Sequence, residues 1–174
     1  MSLARARALA IVGVLGLAAV VLVVVALVKD KQSTATAAGE CPPGAVKVSL
    51  KLPEARNVKV RVLNGTGRTG LGSQVSDDFA NRKFQVQKPG NAKAYDGVAI
   101  IRYGPKTVGG AWLLRAYFLN EADTQFDVKR TDDVVDVVIG SSFQQLGTST
   151  EVNQSIAQLG NPVAPPGTCE ATRS

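Results

Sequence analysis

The sequence contains no histidine, two cysteines, one tryptophan and one methionine. The absence of histidine removes the Ser-His-Asp triad, histidine-activated cysteine nucleophiles and the commonest zinc ligand. Aromatic residues make up only 5% of the chain, and no basic stretch is interleaved with aromatics, as a nucleic-acid groove requires. Acidic residues do occur in pairs, Asp77-Asp78 and Asp132-Asp133. Neighbours on a helix or turn point apart, so neither pair makes a facing acid–base couple, and both read as helix-surface and turn residues. No catalytic residue, metal ligand or cofactor is expected, and the chain reads as a binding protein rather than an enzyme.

Charge is missing from one stretch altogether. Ala8–Val28 holds 21 residues with no charged or polar side chain. As a helix it would rise about 31 Å, which matches the hydrocarbon core of a bilayer. It reads as an uncleaved membrane anchor. A cleaved signal peptide is the alternative, but its apolar stretch is shorter and is followed closely by small residues. Here Lys29-Asp30-Lys31 follows at once, and Ala35-Thr36-Ala37 lies beyond those charges. A lipoprotein signal is disfavoured by Glu40 beside Cys41. Arg5, Arg7 and the amino terminus place the short end on the cytoplasmic side by the positive-inside bias, with a small margin over Lys29 and Lys31.

Cys41 and Cys169 lie near the two ends of the remaining chain, each in a turn-rich stretch, Cys41-Pro42-Pro43-Gly44 and Pro165-Pro166-Gly167-Thr168-Cys169. They read as a disulfide stapling the two tails, with free thiols as the alternative. A bridge implies an oxidising compartment and agrees with an extracytoplasmic domain. The formal net charge is +6, and the part after the apolar run carries 18 basic and 14 acidic residues. That mild excess fits ordinary solvation, or attraction to anionic polymers of an envelope.

Residues 29–45 are rich in Ser, Thr, Ala and Gly and read as a flexible linker. Val46–Leu52 reads as a short first strand. In Val58–Leu63, Val58, Val60 and Val62 alternate with Lys59 and Arg61, the pattern of a strand with one buried face. Leu71, Val75 and Phe79 recur every four residues, which predicts a helix ending near Lys83. Phe84–Gln87 reads as a strand closed by Pro89-Gly90-Asn91. A second cycle follows: strand Val98–Tyr103, helix Val108–Leu119, strand Gln125–Arg130 and last strand Val134–Ile139. Gln144–Ser174 reads as a loose tail. The cycles resemble each other. Gly65, Gly70, Val75 and Phe79 match Gly104, Gly109, Leu114 and Phe118 at a constant offset, so an internal duplication stands beside chance similarity.

A sheet covered on both faces would show near-continuous apolar runs. The charges in these strands predict helices on one face only. The expected fold is an α/β two-layer sandwich, β-α-β-β-α-β, with four to five strands and two helices on one face, preceded by one transmembrane helix. The expected organisation is a cytoplasmic N-terminus over 1–7, the span over 8–28, a linker over 29–45, the domain over 46–147 and a tail over 148–174. The open face would carry Lys59, Arg61, Arg102 and Asp136.

Gly65-Thr66-Gly67-Arg68-Thr69-Gly70 matches the dinucleotide fingerprint, follows a strand and opens a helix. No acidic residue ends the next strand to hold a ribose, and the domain is too short for the double sheet. The glycines read as a tight turn, with exposed amides that could still hold an anion.

Four segments together resemble the LytR C-terminal domain family: Val60-Arg-Val-Leu-Asn-Gly-Thr-Gly-Arg-Thr-Gly-Leu71, Phe84-Gln-Val86, Ile100-Ile-Arg-Tyr-Gly104 and Asp133-Val-Val-Asp-Val-Val-Ile-Gly140. The likeness covers roughly residues 57–147, and Gly72 stands where the family usually has alanine. In that family the domain often follows a LytR-CpsA-Psr catalytic domain, which this sequence does not contain. The resemblance implies the stand-alone single-span form, implicated in cell-envelope integrity, with no catalytic residue to carry over. The expected role is a non-enzymatic envelope factor that binds or scaffolds a cell-wall glycopolymer transferase or the wall polymer. A peptidoglycan- or glycan-binding module without a protein partner is the alternative. The candidate binding surface is Lys59, Arg61, Asn64, Gly65, Arg68 and Arg102.

Overall fold

The computed structural model describes Gly16, Val20, Val21 and residues 41–171. The chain divides into two units, Met1–Glu40 and Cys41–Ser174, and the second holds the elements below. Among the described residues no helix is long and apolar enough to cross a membrane. The expected span Ala8–Val28 lies, except for three helical residues, outside the described residues, as does the linker up to Glu40.

The elements run β1 (Val46–Val48), β2 (Lys59–Asn64), α1 (Leu71–Asn81), β3 (Gln85–Asn91), β4 (Ala99–Tyr103), α2 (Val108–Tyr117), β5 (Asp123–Phe126), β6 (Val134–Ile139), α3 (Ser149–Leu159) and β7 (Thr168–Glu170). Five strands form one sheet in the order β3-β2-β6-β4-β5, and β1 pairs with β7 in a separate two-stranded sheet. β2 is parallel to β3 and β6, β4 is parallel to β5, and β4 is antiparallel to β6. Two β-α-β units thus flank β6 in opposite directions, an arrangement consistent with the internal likeness in the sequence.

The alternation read from the sequence sets the buried face. Val58, Val60 and Val62, with Ala99, Ile101, Val135, Val137 and Ile139, point into one core. From α1, Leu71, Val75 and Phe79 meet them; from α2, Ala111, Leu113 and Leu114 do so. Phe79 stands edge-on to Phe84 at 5.2 Å between centroids and lies 6.2 Å from both Tyr117 and Phe118. Such pairs add to stability beyond the area they bury.

Three expectations are corrected. The domain has three helices, not two: within the supposed loose tail Gln144–Ser174, α3 and β7 are ordered elements. Thr148 caps α3, because its hydroxyl accepts from the Glu151 N–H while the Glu151 carboxylate accepts from the Thr148 N–H at 2.7 Å. α3 lies against α2: the Trp112 indole N–H donates to Gly160 O at 3.1 Å. Its polar composition hid the buried pair Val152 and Ser155. Second, β3 continues through Pro89-Gly90-Asn91, expected as a turn. β3 is an edge strand, where proline costs no ladder bond, and its register against β2 shifts between Arg61 and Leu63, where Lys88 and Pro89 bulge out. Third, the strand expected at Gln125–Arg130 lies earlier, at Asp123–Phe126.

Cys41 and Cys169 are joined in a disulfide, 5.8 Å between Cα atoms. Lys47 on β1 is in register with Cys169 on β7, so the bridge and the small sheet form one clip at both ends of the domain.

Candidate functional site

The second face of the sheet carries an apolar row and a polar row, with Lys59, Gln85 and Val134 beyond them. Leu63, Val138, Ile100 and Asp123 are in register across β2, β6, β4 and β5. This row is mostly apolar, and Val138 and Ile100 are buried. Residues 92–98 bridge it: the Tyr95 N–H donates to Gly65 O, and the Tyr95 hydroxyl donates to the Asp123 carboxylate at the far strand. That hydrogen bond, with a smaller effect of burial, raises the Tyr95 pKa above its ordinary value.

Two residues along each strand lies a polar row. Gln87, Arg61, Asp136, Arg102 and Gln125 are in register, one from each of the five strands. Asp136 sits at the centre with only 7% of its surface exposed. Arg61 grips it with two bonds, Nε to Oδ1 at 2.7 Å and Nη2 to Oδ2 at 2.9 Å. Arg130 reaches the same carboxylate through Nη1 at 3.1 Å. A carboxylate taken this far from water costs several kcal/mol unless paired, and bidentate arginine supplies the matching geometry. The hydrogen bond to Asp136 raises the Arg61 pKa against the opposing effect of burial.

Arg102 is directly opposite Asp136 in the ladder, yet its Nε donates to Gln125 Oε1 at 3.0 Å. Among the described residues it makes no ion pair. Lys59, one pleat below Arg61, is bound to Asp133 at 2.7 Å. The open face therefore brings Lys59, Arg61 and Arg102 together, with most of their charge compensated.

Asn64, Gly65 and Arg68 form a different feature at the end of β2. The Asn64 carbonyl oxygen accepts from the Thr66 N–H at 3.0 Å and the Thr66 hydroxyl at 2.8 Å. Its amide donates to Arg68 O at 2.8 Å. A Cβ on Gly65 would stand 2.9 Å from Ile139 O and 3.0 Å from Lys93 O, so only glycine fits between two backbones. Gly70 takes φ +81° at the start of α1. Arg68 donates to Phe143 O at 2.9 Å. The turn spends its polar groups on its own geometry.

Arg130 and Asp132 were not anticipated. Arg130 Nε donates to Asp132 at 2.9 Å, and its Nη1 donates to Arg102 O at 3.2 Å. The signal was Asp136 itself: one acidic residue inside an apolar strand demands more cation than Arg61 alone. Trp112, the one tryptophan, has the Arg115 guanidinium over its ring at 5.1 Å, which occupies one of its two stacking faces.

The LytR cell envelope-related transcriptional attenuator family matches residues 57–143. The cell envelope integrity protein Cei of Mycobacterium tuberculosis is 26% identical over 108 residues, which are 59% of this chain and 49% of that protein. The chain thus spans about half the length of this curated relative. The crystal structure of the soluble domain of a conserved hypothetical secreted protein from Mycobacterium marinum is 26% identical, with a TM-score of 0.48, over 66% of this chain and 76% of that one. With half of its residues matched, the chain belongs to the LytR C-terminal domain family.

Proposed function

We propose that this chain is a non-enzymatic cell-envelope factor, held in the cytoplasmic membrane by Ala8–Val28, with the disulfide-clipped domain on the outer side. It binds or scaffolds glycopolymer assembly machinery of the wall through the polar row. A role in the cell envelope is supported by the family and by the name of the Mycobacterium tuberculosis relative. The outward orientation is supported by the bridge between Cys41 and Cys169.

The observation that carries the reading is the row Gln87–Arg61–Asp136–Arg102–Gln125, in which every strand contributes one polar side chain and, among the described residues, the helices pack on the opposite face. The ion pairs hold Arg61 in one rotamer, so a partner meets a rigid surface with little ordering cost. Arg102 offers unspent charge to an anionic group. The rival reading, a glycan module that stacks a sugar on an aromatic, would have to use Trp112, whose indole N–H is taken by Gly160 O and one of whose faces Arg115 covers.

A photo-reactive residue at Gln125 on the row, and another at Asp78 on the solvent side of α1, tests this in intact cells. Specific adducts from Gln125 that the R102Q variant abolishes are expected. Equal adducts from both positions, or none lost in that variant, would remove the row from consideration. Adducts with polymer and no protein would favour the glycan module.

A further inference from the structure

At the end of the sheet where β2 and β6 begin, a cavity of about 500 Å³ opens between the segment 49–57 and the first turn of α2. That volume is typical of small-molecule sites. Three lysines line it, Lys51, Lys59 and Lys106, against two carboxylates, Glu54 and Asp133. Glu54 is drawn off by Arg56. Asp133 is bound by Lys59 and also feels the charge of Lys106, and the two together hold its carboxyl below the usual range, with the Lys59 hydrogen bond the larger cause. Among the described residues Lys51 and Lys106 make no ion pair. The cavity therefore has cationic charge left over.

The glycines beside it do not need a ligand to explain them. A Cβ on Gly109 would fall 2.2 Å from Lys51 O, and one on Gly110 would meet Val58 at 3.2 Å, so both are there for packing. A bare phosphate would leave most of this space empty. The Ser49 hydroxyl and the Asn57 amide, also in the wall, offer donors and acceptors to hydroxyl groups.

We propose that this cavity binds a small hydroxylated anion, one phosphate or carboxylate carried on a sugar-sized body, with Lys51 and Lys106 holding the charge. The site is separate from the polar row and stands or falls independently of it.

Titration of the isotope-labelled full chain in a neutral detergent, followed by amide chemical shifts, tests this. Glucose 1-phosphate and glucuronate are the probes, inorganic phosphate the bare ion and glucose the uncharged control. Saturable shifts at Ser49, Lys51, Asn57 and Lys106 are expected with at least one anionic sugar. Inorganic phosphate should bind more weakly, and glucose should leave the shifts unmoved. Which anionic sugar binds distinguishes phosphate from carboxylate recognition. The K51E/K106E variant changes two exposed side chains and should lose roughly tenfold or more in affinity. The R102Q variant should bind as the parent does, which separates this site from the face. Shifts that never saturate, equal shifts with glucose, or an unchanged K51E/K106E variant would overturn the proposal.

Discussion

Gly65 lies between the carbonyl oxygens of Ile139 at the end of β6 and Lys93 in the bridging segment, and a side chain there would press on both backbones. Gly65→Ala should cost about 1–3 kcal/mol, as overpacking against fixed neighbours does; the urea midpoint of the variant against the parent measures it. The acidic residues around Arg130 give a pH dependence with a definite sign. Burial pushes Asp132 up, but the Arg130 hydrogen bond and the Val134 N–H outweigh it and leave the carboxyl below its ordinary value. Asp133 is lowered first by Lys59. A carboxyl depressed in the folded state adds stability above its unfolded pKa, about 3.9. That stability is lost as pH falls through the folded value. The unfolding midpoint should hold between neutral pH and about 5 and then fall below about 4, and D132N/D133N should flatten that acid limb. The alternation of Lys59 and Arg61 with valines made the open face legible from sequence. Arg130 was not, because it comes from outside the strands and only the folded chain brings it to Asp136.

At the scale of elements, the helices show where pattern reading works and where it stops. Leu71, Val75 and Phe79 repeat every four residues, and α1 follows that stripe into the core. α3 carries a shorter stripe, Val152, Ile156 and Leu159, and its start is written as Thr148 with Glu151 three residues on, a capping box; the glycine punctuation and polar residues around them obscured both. Thr148→Ala should destabilise the domain by about 1 kcal/mol, read as a lower melting temperature with earlier exchange of the α3 amides. Pro89-Gly90 ordinarily marks a turn and hides the second half of β3 in the sequence; on an edge strand with a shifted register the same pair is tolerated. The disulfide closes a loop of sequence separation 128. In the chain-entropy model that gains about 5 kcal/mol, an upper figure because strain usually subtracts. Replacing Cys41 and Cys169 by serine should lower the melting temperature and free β1 and β7, while the amides of β2 and β6 keep their protection.

For the whole molecule, two opposed β-α-β units around β6 put α1 and α2 on one face of the sheet and the polar row on the other, and the small sheet of β1 and β7 ties the entry and exit of the domain together. That clip stands at Cys41, after the segment that joins the apolar run to the domain. Pulling on the tether would load the clip before the five-stranded sheet. All of this serves an envelope role only if the domain lies outside the membrane, and a reporter joined after Ser174 measures that directly. Alkaline phosphatase, which needs disulfides to fold, should be active in that position in cells, while a fluorescent protein that matures only in the cytoplasm should stay dark. The opposite pair of results would put the domain on the inner side and contradict the account.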